Sequence, residues 1–385
     1  MFKKIALFVL IVVCVLSSVF STSAATINLK IDGKAVASDV APVLENGTTL
    51  VPLRVISENL GADVSWDGSN KKATIKTAAY TAVFTINSKT FTVNGVTKSL
   101  VSPAKLVDSR TLVPIRAFSE AIGAKVNYDA GTSTAAVDYF TTMTGTIKIS
   151  GSTTVQPIAQ KAADKLIAAN NGLSITVAGG GSGAGIKDAT AGTVNIGMSS
   201  RDLTADEKAV LTDYEVAKDG IAIIVHPDNN VKSLTKNQAA KIFLGEITNW
   251  KDVGGEDAPI LVQTRETGSG TRATLEEMLL EKKSVVATAT AHASSALIKQ
   301  GVAKSKYAIG FDSIGYVDKT VKAIPVDNIS ATTVTVQSGT YPLSRALYVA
   351  TKGTPSQTAA MFIDYLKSAE CQKDIVTAEG YISLK

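Results

Sequence analysis

The sequence predicts an α/β fold of two lobes, preceded by a small duplicated α+β domain. Three observations lead there. The chain has 385 residues, more than one ordinary domain holds. Its first third contains a long internal repeat. From Gly145 onward, short β-branched runs alternate with helical segments, the pattern of α/β layers.

The first element stands outside that fold. Lys3 and Lys4 precede an apolar run from Ile5 to Leu16, and the small residues Ser23, Ala24 and Ala25 follow. Residues 1–25 therefore read as a secretory signal cut near Ala25. The run falls short of the about 20 apolar residues that span a bilayer. Without Lys3 and Lys4 the formal charge drops from +5 to +3, too mild a balance for a nucleic-acid partner. Cys14 follows Val13 rather than a small residue, so it reads as a hydrophobe of the signal and not as a lipid anchor. Cys371 is then left without a partner for an internal disulfide. The expected place of action is secreted and extracytoplasmic.

Residues 26–140 hold the duplication. "TLVPLRVISENLGADVSWD" from Thr49 returns as "TLVPIRAFSEAIGAKVNYD" from Thr111, and "IDGKAV" at Ile31 returns as "VNGVTK" at Val93, at a constant offset of 62 residues. Each copy reads as a strand, a turn at Asp32-Gly33 or Asn94-Gly95, a second strand, a short amphipathic helix ending at Gly61 or Gly123, and a further hairpin. Leu50, Val51, Leu53, Leu112, Val113 and Ile115 are the expected core, with Arg54 and Arg116 in structural roles. The "TLVP-R" and "LGA-V-WD" signatures resemble the copper amine oxidase N-terminal-like domain of secreted bacterial proteins. The oxidase chemistry does not follow, because a copper site wants clustered histidines and this region has none. The resemblance implies an accessory module that holds the protein at the cell surface, with an envelope polymer as its partner.

Residues 141–146, within "TTMTGT", read as a linker to a domain at 147–385. Strands are expected at "TIKIS", "LSITVAG", "VNIGMS", "GIAIIVH", "APILVQTR", "YAIGFDS" and "LYVAT". Helices are expected over 155–169, 205–211, 236–243, 272–281, 294–301 and 355–367. Phe243 and Trp250 should pack the second lobe.

The chemistry gathers at strand-to-helix turns. "RETGSGTRATLEE" places Arg265, Ser269, Gly270 and Thr271 at the start of a helix. Such a start offers unpaired N–H groups and the positive end of the helix dipole, and the arginine adds a planar fork of donors. "SGSTTVQPIAQ" brings Ser152, Thr153 and Thr154 to a similar turn, "AGGGSGAGIKDA" brings Ser182, and "IGMSSRDLTADEK" brings Ser199 and Ser200 before a capping box at Thr204 and Glu207. One such turn is an ordinary cap. Several at carboxyl ends of strands, where α/β sheets bind ligands, point to a shared anion site.

Other chemistries lack their equipment. Gly179-x-Gly181-x-x-Ala184 is a loose dinucleotide fingerprint without its usual βαβ context. His226 and His292 are solitary, outside metal-ligand spacing, and read as surface or packing residues. No Gly-x-Ser-x-Gly elbow stands at a strand end with a histidine to serve it. No cofactor, metal or catalytic residue is assigned.

"ISGSTTVQPIAQ", "GGGSGAGIKDATAGTVNIGMSSRDLT", "IFLGEITNW", "RETGSGTRATLEE" and "AIGFDSIGYV" together resemble the phosphate-binding component of bacterial ABC phosphate importers, the PstS family. The resemblance implies a periplasmic-binding-protein type II fold, two α/β lobes with a double hinge, closing on inorganic phosphate and delivering it to a membrane permease; the alternatives are a receptor or sensor for another tetrahedral oxyanion and a cell-surface envelope-binding protein. It carries the phosphate site onto Ser152, Thr153, Thr154, Ser182, Ser200, Arg265, Ser269, Gly270 and Thr271. The chain departs from the family pattern twice. Ser199-Ser200-Arg201 stands where many members carry an aspartate that accepts the phosphate proton, and Thr267 stands where many carry an acid that orients the arginine. Discrimination against sulfate then falls to hydroxyls, Glu266 or Asp202.

Overall fold

The computed structural model describes residues 27–384; the expected signal at 1–25 lies outside them. The repeat folds as two interlocked copies. Asp32 and Gly33 have φ of 46° and 78°, and Asn94 and Gly95 have φ of 48° and 80°. These left-handed pairs make the tight hairpin turns anticipated from Asp-Gly and Asn-Gly. Helices Leu53–Asn59 and Ile115–Ala121 each follow a proline and run out at Gly61 and Gly123. Strand Thr48–Pro52 lies antiparallel to Arg110–Pro114, with Val51 opposite Val113. Strand Asn28–Ile31 pairs with Thr134–Asp138 of the other copy. Each copy thus completes the sheets of its twin, and Leu50, Val51, Leu53, Leu112, Val113 and Ile115 are all buried at the seam. Arg54 and Arg116 are exposed instead.

Beyond Gly145, one nine-stranded sheet runs through both lobes. In the first lobe, Gly145–Gly151 lies parallel to Leu173–Gly180 and Ile196–Ser199. In the second, Leu261–Arg265 lies parallel to Ala308–Ser313 and Thr290–His292. The long strand Leu211–Val225 links them. Its first part pairs with Ser344–Lys352, and its second part, from Ile221, pairs with Ala308–Ser313. The chain therefore crosses between lobes twice, near Asp219 and near Ser344. Most expected elements are observed, but the strand read at "GIAIIVH" begins nine residues earlier, at Leu211, and the helix expected over 205–211 ends at Lys208, because Leu211 already belongs to that strand. Separate apolar cores fill the lobes, and Phe243 and Trp250 are buried in the second, with Phe243 edge-on to Phe311.

The duplicated domain shares the first lobe's core. Asp364, on helix Gln357–Lys367, accepts the Ala78 N–H at 2.8 Å and the Tyr139 hydroxyl at 2.9 Å. Lys367 pairs with Asp63 at 2.7 Å and Glu370 with Lys34 at 2.6 Å. The connection is packed as well. Phe140 and Met143 are buried, and the Asn170 side chain bonds to the backbone of both.

Candidate functional site

The predicted turns converge between the lobes, and each is held by its own local chemistry. In the first turn, the Ser152 hydroxyl accepts the N–H groups of Thr154 and Val155. Its role is to shape the loop. Tyr316 and Tyr381 donate their hydroxyls to the carbonyls of Thr153 and Thr154, both at 2.8 Å. With the loop so fixed, the Thr153 and Thr154 hydroxyls point across to the second lobe.

There, Ser269 caps helix Gly270–Met278 by accepting the Arg272 N–H. The Gly270 and Thr271 N–H groups are left without partners inside the helix. Thr271 Oγ1 lies 3.0 Å from Thr154 Oγ1. Ser182 and Ser200 sit beside Gly270, their hydroxyls 3.3 Å apart. A Cβ at Gly270 would stand 2.3 Å from Ser182 Oγ and 2.7 Å from Ser200 Oγ, so any side chain here must displace both hydroxyls.

Arg265 is 2% exposed. Its guanidinium donates to Thr153 Oγ1 and Ser295 Oγ, each at 3.1 Å, and to the carbonyls of His292 and Ala293. All these acceptors are neutral. Among the described residues no carboxylate forms an ion pair with it, and burial lowers its pKa, an effect that Asp312 opposes. Chemically, a buried cation whose hydrogen bonds all go to neutral acceptors, ringed by hydroxyls from both lobes, can receive an anion.

Several groups in this network were not singled out from the sequence. Ser295 joins Arg265, Thr153 and Thr154. Asp312 is buried, with one carboxyl oxygen accepting the Ser313 N–H, and the Ser295 hydroxyl stands close enough to act on its carboxyl. Burial pushes its pKa to about 7 against the pull of that N–H and of Arg265. Arg345 donates to the Ser200 carbonyl at 2.9 Å. The signal for Asp312 was present: an acid inside the apolar strand "AIGFDS" is seldom idle. Glu266, Thr267 and Asp202 are exposed instead, and Asp202 takes the Tyr348 hydroxyl. His292 bonds to Gln263, and His226 to its own turn.

Known proteins share this architecture. Residues 141–370 match the model of the PBP superfamily domain, and residues 30–137 match the copper amine oxidase N-terminal domain. The phosphate-binding protein PstS of Bacillus subtilis is 38% identical over 244 residues, covering 62% of this chain and 80% of its own. The chain belongs to the PstS family. PstS of Borreliella burgdorferi is 30% identical, covering 62% of this chain and 90% of its own. A solved structure from Clostridium perfringens, assigned as a phosphate ABC transporter substrate-binding protein with bound phosphate, is 41% identical. Its TM-score is 0.60, over 63% of this chain and all of that one. An ABC-type phosphate transport receptor from Vibrio cholerae is 38% identical with a TM-score of 0.54, over 61% of this chain and 99% of that one. The family consists of substrate-binding proteins, and the chain is a binding protein rather than an enzyme.

Proposed function

We propose that this protein captures inorganic phosphate between its lobes, outside the cytoplasm, and delivers it to the membrane permease of an ABC phosphate importer. The observation that carries the reading is Arg265, buried with neutral partners only. A phosphate drawn out of water needs a donor on nearly every oxygen and a cation nearby. Thr153, Thr154, Ser182, Ser200 and Thr271 supply hydroxyls, Gly270 and Thr271 supply helix-start N–H groups, and Arg265 supplies charge. Ser152 and Ser269 act by holding their turns in place. The hydroxyls that now bond to one another exchange those bonds for phosphate oxygens, and the lobes part about the two crossings to admit it. The phosphate-binding relatives support the same reading.

Calorimetric titration with phosphate and with sulfate, beside an assay of phosphoester turnover, tests this. One phosphate per chain, weaker sulfate and no turnover are expected. Metal-independent hydrolysis by a clean preparation would overturn the receptor reading. Residues 26–140 are assigned to retention at the cell surface through an envelope polymer, with no part in phosphate affinity.

A further inference from the structure

Two grooves cut the surface of the duplicated domain, one of about 700 Å³ and one of about 330 Å³. All eleven residues lining the smaller have their counterparts, 62 positions away, lining the larger. Trp66 corresponds to Tyr128, Arg54 to Arg116, and Leu106 to Leu44. Exposure matches too. Trp66 and Tyr128 are 43% and 42% exposed, and Leu106 and Leu44 are 53% and 57% exposed. Shared core packing explains why the buried positions of a repeat stay alike. It does not explain a pair of surface aromatics, each beside an exposed arginine and an exposed leucine.

Basic side chains predominate in both linings. Arg54 and Arg110 line the smaller groove without any acid, although Arg110 reaches out to Asp39 and Arg54 lies 3.9 Å from Glu58. Arg116 and Lys98 line the larger, against Glu120 alone.

We propose that the two grooves are equivalent binding sites for an acidic polysaccharide, each seating a sugar ring on its aromatic side chain and an acid group on its arginine. The aromatic face suits the flat C–H face of a sugar, and the guanidinium fork suits a carboxylate. Duplication points to a polymer, because a chain that reaches both grooves binds the second at high effective concentration. An acidic polypeptide offers the charge but not the ring. This inference rests on the assignment of residues 26–140 to envelope binding and names the ligand class of that site.

The full chain is titrated with galacturonate trimer and with long polygalacturonate, alongside dextran, which is uncharged, and polyglutamate, which has no sugar. Two trimers per chain are expected, one in Trp66→Ala or Tyr128→Ala, and none in the double variant. Affinity for the long polymer should fall roughly 100-fold in either single variant as the second contact is lost. Phosphate titration, unchanged in all three variants, reports that the lobes are intact. No binding of polygalacturonate, binding that survives the double substitution, or equal binding of polyglutamate overturns the proposal. Retention on purified cell envelopes is measured in parallel. If envelopes retain the double variant, the grooves are overturned and surface retention stands; if envelopes fail to retain the intact chain while both grooves bind polygalacturonate, the reverse holds.

Discussion

Arg345 and Asp219 meet at 2.8 Å where the chain crosses between the lobes, and both side chains are buried. The other Asp219 oxygen accepts the Ser313 hydroxyl at 2.7 Å. Burial pushes the Asp219 carboxyl above its ordinary pKa, and Arg345 and Ser313 pull it back. Because Arg345 also holds the Ser200 carbonyl, one guanidinium ties the crossing to the wall of the proposed phosphate site.

Replacing Arg345 by methionine leaves a carboxylate in the interior without its cation. A loss of about 3–5 kcal/mol in unfolding free energy is expected. Adding Asp219→Asn should recover part of it, since the pair is then removed whole. Denaturant unfolding of both variants checks this, and equal losses would show that the unpaired Asp219 charge is not what destabilises Arg345→Met.

Arg265→Ala removes the cation from the proposed phosphate site. A loss of about 2–5 kcal/mol is expected, roughly a thirty-fold to several-thousand-fold fall in phosphate affinity. Ser200→Ala should cost far less, because neighbouring hydroxyls remain. Titration of both variants at one pH and salt concentration decides the matter. Unchanged binding in Arg265→Ala would remove the central contact.

Gly270→Ala tests the hydroxyls without deleting one. The new Cβ displaces Ser182 Oγ and Ser200 Oγ, while alanine suits a first helical turn. Phosphate affinity should fall roughly tenfold, about 1.4 kcal/mol, with little change in unfolding. Full affinity would mean that these two hydroxyls do not face the anion.

The sequence made some of this legible and hid the rest for physical reasons. Turn chemistry is local, so Gly268 to Thr271, the Thr204 capping box and the Asp-Gly hairpin could be read from neighbouring residues. The repeat exposed its own core through periodicity. Partners brought together by the sheet could not be read this way: Arg345 lies 126 positions from Asp219 and 145 from Ser200. Glu266 adjoins Arg265 in sequence, yet it lies just past the end of strand Leu261–Arg265 and is exposed. The acid that influences Arg265 most strongly is Asp312, from the neighbouring strand region.

Asp312 should make stability depend on pH. Below about pH 4 the carboxyl is protonated whether folded or unfolded. Between there and pH 7 the folded protein keeps a proton that the unfolded chain releases, so this contribution is lost as pH rises through about 7. Asp312→Asn cannot titrate, and its stability relative to wild type should improve from pH 5 to pH 8. Asp364 is pushed to about 7 by burial too, so the variant keeps some decline of its own. Denaturant unfolding at both pH values provides the check, and a constant difference would show that Asp312 does not titrate in this range.

The last prediction concerns how the duplicated domain is fixed to the first lobe. Gly61 has a φ of +74°, and a Cβ there would lie 1.8 Å from the Asp364 carbonyl oxygen and 2.7 Å from its carbon. Both are backbone atoms, so no rotamer change relieves the clash. Gly61→Ala adds about 1–2 kcal/mol for the left-handed backbone, and must also push the domain away from helix Gln357–Lys367. Separation would stretch the bonds from Ala78 and Tyr139 to Asp364 and uncover Phe140 and Met143. Faster proteolysis over 139–144 and earlier unfolding of the domain are expected. Helix Gln357–Lys367 carries none of the proposed phosphate contacts, so the phosphate dissociation constant should stay within about twofold of wild type, well under the tenfold that about 1.4 kcal/mol represents. Limited proteolysis and phosphate titration on the same preparation separate the possibilities. Fast cleavage with intact affinity supports a packed but independent accessory domain, whereas a matching collapse of affinity would mean that the domain supports the phosphate site itself.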